Sequence, residues 1–119
     1  MAQETGFLTE YLDAVIAVKL ENGSQIELVI DTGFNGSLLL PRTFVDDNFL
    51  ELIGQEPVNM IEGHHDVVDV VEAKLNWLGQ IVKVDALISE TADCLLGTKM
   101  LVDSKLEIDY KNLTVKITK

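Results

Sequence analysis

The run Leu28-Val29-Ile30-Asp31-Thr32-Gly33 sets an apolar segment directly against a carboxylate, a hydroxyl and a glycine. An ionised side chain resists desolvation at the end of a buried strand. A group placed there is either tightly hydrogen-bonded or chemically useful. Asp-x-Gly also closes strands as an Asx turn, so a purely structural reading stands beside the chemical one. Ser37 and the apolar run Leu38-Leu39-Leu40-Pro41 follow at once, which pins the loop between two core segments. A second apolar-into-glycine break, Leu95-Leu96-Gly97, lies far downstream.

Other candidate chemistries fail on their own requirements. His64 and His65 are adjacent, so on a strand they point apart, and the lone Cys94 offers no ligand pattern. The spacing of Asp31, Asn35 and Gly36 faintly echoes a calcium loop, but the twelfth position is Arg42 where a bidentate Glu is needed. Gly33-Phe34-Asn35-Gly36 echoes a Gly-x-x-Gly RNA clamp without its basic flank. No metal and no cofactor is expected.

The elements that must position Asp31 read mainly as strands. Ala14 to Leu20 places Ile16, Val18 and Leu20 on one face, Asn22-Gly23 is a strong hairpin turn, and Gln25 to Ile30 returns. Leu38 to Leu40 reads as a short buried strand. From Pro41 to Ile53, Val45, Phe49, Leu52 and Ile53 recur at helical spacing, with Gly54 as the stop. Glu56 to Ile61 and Val67 to Trp77 read as strands around a polar break, Glu62 to Asp66. Leu78-Gly79 turns the chain into Gln80 to Ile88. After a loop at Ser89 to Asp93, Thr98 to Val102 can form a helical turn. A terminal hairpin carries Leu106, Ile108 and Tyr110 on one arm and Leu113, Val115 and Ile117 on the other. Residues 1–12 read as a polar, loosely ordered lead-in to one domain over 13–119. The class is mainly β, with seven or eight strands and one clear helix, in a closed or strongly twisted barrel-like body.

The chain has 119 residues and a formal net charge of -11, which argues against nucleic acid and anionic membrane as partners. No apolar run approaches the roughly 20 residues that span a bilayer. Met1 to Leu12 has Glu4 and Glu10 and no basic region, unlike a signal peptide. A single cysteine excludes an internal disulfide, and a cytoplasmic setting is the simplest expectation.

The segment Val29 to Gly36, with Leu38-Leu39-Leu40-Pro41 and Leu95-Leu96-Gly97, resembles the single-domain, retropepsin-like aspartic proteases of clan AA, and most of all their small prokaryotic members. The resemblance extends over about residues 14–118. It implies an acid-protease barrel with one helix, closed into a two-fold homodimer that cleaves peptides or proteins. Such chemistry needs two carboxylates that share a proton and hold one water, because like charges so close cannot both ionise. This chain has one Asp-Thr-Gly and no second Asp in an Asp-(Ser/Thr)-Gly setting. Asp31 would therefore act with Asp31 of a second copy.

The resemblance also implies that the Thr32 hydroxyl bonds across the dimer and that Gly33 admits backbone close to the carboxylates. Leu95, Leu96 and Gly97 would pack behind the loop as structural support. Ile61, Glu62 and Gly63 fall where a substrate-covering flap would turn, and the C-terminal hairpin would form part of the interface. Two departures stand out: Phe34 replaces the small residue of viral members, and the expected helix is longer than theirs. The rival reading is a catalytically weak or inactive retropepsin-like dimerisation or peptide-binding module. A third is a monomeric β-domain in which Asp31 only closes a turn.

Overall fold

The computed structural model describes residues 2–59 and 65–119. The elements, in order, are β1 (Gln3–Leu8), β2 (Ala14–Leu20), β3 (Gln25–Ile30), β4 (Leu38–Pro41), α1 (Arg42–Asp47), β5 (Glu51–Asn59), β6 (His65–Trp77), β7 (Gln80–Ser89), β8 (Leu95–Leu96), a 3-10 turn (Thr98–Leu101), β9 (Lys105–Asp109) and β10 (Thr114–Thr118). Ten strands are thus present among the described residues, more than the seven or eight expected. The same residues contain no helix long and apolar enough to cross a membrane.

Local chemistry accounts for the hairpins. Gly23 at φ 94° closes β2 onto β3, and Leu78 at φ 50° with Gly79 at φ 81° closes β6 onto β7. At Leu78-Gly79 the paired positive φ values suit the right-handed twist of the flanking strands. The sheet order is β5-β6-β7-β4-β8-β3-β2-β1-β10-β9. A further pairing, Lys19 with Asn76 and Leu20 with Leu75, joins β2 to β6. The strands β6, β7, β4, β8, β3 and β2 are thereby linked in a ring. Ile16, Leu28, Leu40, Leu75 and Leu96 fill its interior and are fully buried. Each such side chain contributes about 1.5–3 kcal/mol by leaving water.

Two expectations need correction. The helix runs only from Arg42 to Asp47, not to Ile53. The side-chain amide and backbone N–H of Asn48 both donate to the Phe44 carbonyl, Phe49 then takes φ 53°, and the chain enters β5 at Glu51. Of the apolar residues that suggested a longer helix, only Val45 is buried, while Phe49 is 92% exposed and Leu52 60%. Eight ladder pairs with β6 outweigh a periodicity that is ambiguous over so short a span. The second correction concerns residues 1–12, which are not a loose lead-in. Within them β1 pairs with both β2 and β10. Gly6 permits it, because a Cβ there would stand 2.0 Å from the Val15 carbonyl oxygen. The Glu4 carboxylate accepts the Leu78 N–H at 2.9 Å, tying this strand to the β6–β7 turn.

Candidate active site

The strand β3 ends beside β8, with Val29 paired in parallel to Leu95 and Ile30 to Leu96. The Asp31 N–H donates to the Leu96 carbonyl at 3.0 Å, so the strand's last bond is made by the acidic residue itself. The chain then turns tightly. Asp31 Oδ1 accepts the Gly33 N–H at 2.9 Å, and the Asp31 carbonyl accepts the Phe34 N–H at 3.1 Å. The structural Asx turn and a positioned carboxylate are therefore the same object. The turn orients Oδ1, and among the described residues Oδ2 accepts no hydrogen bond. Asp31 is half-buried, while Thr32 and Gly33 are exposed on the surface of the single chain. A Cβ at Gly33 would sit 3.2 Å from Oδ1, tighter than most real contacts.

The segment Leu95-Leu96-Gly97 lies behind this loop, threaded between β3 and β4. Leu96 pairs with Leu38 on the β4 side and is fully buried, and Leu95 is half-buried. Gly97 N–H donates to Ser37 at 2.8 Å, Thr98 N–H to Phe34 at 2.9 Å and Lys99 N–H to Gly36 at 3.2 Å, each to a carbonyl. Two chain segments sixty or more residues apart thus meet backbone to backbone. A Cβ on Gly97 would stand 2.1 Å from the Gly36 oxygen and 2.7 Å from the Phe34 oxygen, and no rotamer change could relieve that.

The aromatic departure at Phe34 has a local compensation. Its ring occupies space that a Cβ on Gly36 or Gly97 would need, at 2.6 and 2.7 Å respectively. An aromatic side chain fits this loop because both neighbours lack a side chain.

Sequence reasoning missed two groups. Thr98 Oγ1 lies 3.4 Å from the Phe34 carbonyl and 3.5 Å from Asn35 Oδ1, a long-range contact whose only local signal is a hydroxyl directly after Gly97. The second is a charged cluster on the flanking elements. Arg42 Nη2 lies 2.8 Å from Asp69 Oδ2 and 2.6 Å from Glu90 Oε1, Nε adds two bonds to Glu90 at 3.0 Å, and Gln55 donates to Asp69 Oδ1 at 2.9 Å. It ties the start of α1 to β5, β6 and the loop after β7. The Gln55 amide, and then Arg42, hold the Asp69 carboxyl below the usual range, and Arg42 does the same for Glu90. No stretch of sequence announces it, since its members come from four separate elements.

Ile61, Glu62 and Gly63, where a flap turn is expected from the resemblance, lie outside the described residues, as does His64. The strands on either side of them, β5 and β6, pair antiparallel, in continuous register from Gly54 with Val70 to Asn59 with His65. Among the described residues, no three His, Cys, Asp or Glu side chains converge as a metal site.

No protein-family model matches the sequence, and no curated protein matches it. Solved structures do match. A retropepsin-like aspartic protease from Rickettsia conorii superposes with a TM-score of 0.70 and 15% identity, over 97% of this chain and 89% of that one. The protease of EIAV, in complex with the inhibitor HBY-793, gives 0.63 and 15% over 76% and 86% of the two chains. The protease of simian foamy virus (mac) gives 0.57 and 19% over 74% and 91%. The fold of this chain is that of the retropepsin-like aspartic proteases.

Proposed function

We propose that this chain is an aspartic endopeptidase that works as a homodimer, each copy contributing Asp31. The observation that most supports this is a strand-end carboxylate on a loop locked from behind by backbone. Asp31 is joined through its N–H to Leu96 and through Oδ1 to Gly33, with one carboxylate oxygen left over among the described residues. That loop sits within a retropepsin-like fold.

The chemistry follows from pairing two such groups. Brought together, the two Asp31 side chains share one proton, because ionising both would place like charges within a few ångströms. The ionised carboxylate takes a proton from a bound water, and the water's oxygen attacks the scissile carbonyl carbon. The protonated partner gives its proton to the carbonyl oxygen, forming a tetrahedral diol. Collapse of the diol breaks the C–N bond, with proton transfer to the departing amine. Exposed Thr32 and Gly33 would lie at the junction of the two loops, and Leu95, Leu96 and Gly97 would hold each loop rigid. The substrate is an extended peptide or an unfolded protein segment.

The test is cleavage of a denatured protein between roughly pH 3 and 7. The proposal predicts a bell-shaped profile, and a fall of about a thousandfold or more in kcat/KM for Asp31→Asn. Equal cleavage by mutant and wild type would sink it. A dimer that binds peptide without cleaving it would favour the binding-module reading.

A further inference from the structure

Phe49 stands where the backbone disfavours it and where the core does not use it. Asn48 caps the end of α1. The Phe49 N–H then returns to the Asp46 carbonyl at 3.2 Å, and the Leu50 N–H to the Val45 carbonyl at 3.1 Å. Between these bonds Phe49 takes φ 53°. Glycine or asparagine is the ordinary occupant of a left-handed position after a helix, because a bulky side chain is strained there. The ring gains no burial in return, since Phe49 is 92% exposed.

That ring lines a groove where three parts of the chain converge. Phe49 and Glu51 come from the link into β5, Glu21 from the β2–β3 turn, and Glu72 and Lys74 from β6, with buried Leu20 adding apolar surface. Asn22 Nδ2 donates to Asn48 Oδ1 at 3.2 Å, and the Glu21 N–H donates to the Lys74 carbonyl at 2.9 Å, so the three parts are tied together. The cavity holds about 240 Å³, below the roughly 300–1,000 Å³ of small-molecule pockets. It suits one large side chain of a partner and not a whole free ligand.

Charge says what that side chain is. Glu21, Glu51 and Glu72 line the groove against Lys74 alone. Glu51 is directly opposite Glu72 in the β5–β6 ladder, and Glu72 is directly opposite Asp85 in the β6–β7 ladder. Like charges so placed destabilise a sheet. Lys83 Nζ reaches Glu72 at 3.9 Å, but among the described residues neither Glu21 nor Glu51 has a cation within ion-pair distance. A cation beside Glu51 would offset the repulsion. An exposed aromatic face next to uncompensated carboxylates matches a guanidinium, whose plane stacks on a ring while its N–H fork donates to carboxylate oxygens.

We propose that this groove docks an arginine-bearing segment of a partner protein, the guanidinium held between the Phe49 ring and the opposed Glu51 and Glu72. The groove lies at the turn end of β3 and Asp31 at the other end, roughly 20 Å away by strand rise. The docking site is therefore separate from the proposed cleavage site and does not depend on cleavage.

The test is fluorescence anisotropy of a fluorescein-labelled peptide, Gly-Ser-Arg-Leu-Arg-Gly-Ser, with the full chain carrying Asp31→Asn so that no peptide is cut. A Kd below about 100 μM is expected at low ionic strength, weakening with added salt. Phe49→Gly is expected to weaken binding about fivefold or more while the urea midpoint holds, because glycine suits φ 53°. Glu51→Lys is expected to weaken it about tenfold or more, and Glu10→Lys, the same charge change at an exposed residue outside the groove, less than about twofold. The same peptide with lysine for arginine is expected to bind about threefold more weakly or worse. Binding unchanged by Phe49→Gly, equal losses with Glu10→Lys and Glu51→Lys, or no binding at about 1 mM peptide overturns the site. A lysine peptide that binds equally overturns the guanidinium, and spermidine that binds as tightly as the arginine peptide overturns the assignment to a partner protein.

Discussion

The Asp31 loop and the Arg42 cluster both join distant parts of the chain, but by different means. The loop is held by backbone hydrogen bonds from Gly97, Thr98 and Lys99, and by contacts so close that only glycine fits. The cluster is held by side-chain charges of Arg42, Asp69 and Glu90 that keep contact with water, from 25% exposure at Asp69 to 68% at Glu90. Backbone contacts of the first kind tolerate no displacement. Exposed ion pairs exchange readily with solvent and contribute little individually. The rigid joint coincides with the proposed chemistry, whereas the screened one merely braces the elements around it.

Three substitutions measure this difference, and urea unfolding reads all of them. Gly97→Ala drives a methyl group into two carbonyl oxygens and is expected to cost about 3 kcal/mol, with cleavage lost alongside. A midpoint unchanged by that substitution would mean that the loop yields, and the contrast would collapse. Phe34→Ala removes a half-buried ring from over Gly36 and Gly97, at an expected cost of about 2 kcal/mol. Arg42→Gln should shift the midpoint least, and the shift should shrink further in high salt.

Acid sharpens that last prediction. Asp69 and Glu90 have carboxyls lowered in the folded chain, the first mainly by Gln55 and then Arg42, the second by Arg42. A lowered carboxyl stabilises the fold above its unfolded value and loses that contribution as pH falls through its folded value. The difference between wild type and Arg42→Gln should therefore be level above about pH 5 and fade below about pH 4. A difference that grows on acidification would show that Arg42 acts by some means other than these carboxylates.

Much of the β architecture could be read from local pattern. The β2–β3 and β6–β7 hairpins follow from alternation and from Asn22-Gly23 and Leu78-Gly79, since turn geometry belongs to a few adjacent residues. Asp31-Thr32-Gly33 and Leu95-Leu96-Gly97 were recognisable as a related pair, and the fold puts them back to back. The residues 48–54 misled, because Phe49, Leu52 and Ile53 suit a helix by spacing and a strand by type. The ladder with β6 decides between them. The strand β1 was invisible for the opposite reason. Gln3, Glu4 and Thr5 have no apolar alternation, and they pair because β2 and β10 stand on either side.

By itself, the amino-acid sequence determined that this chain holds one Asp-Thr-Gly at the end of an apolar strand, because residue type and covalent order are local facts. Tertiary structure alone decided that Gly97 stands against Gly36, that Phe34 fits between two glycines, that β1 is enclosed by its own chain, and that β9 is left as an open edge. Those outcomes depend on which distant backbones come within hydrogen-bonding reach, and no short window of sequence contains both partners.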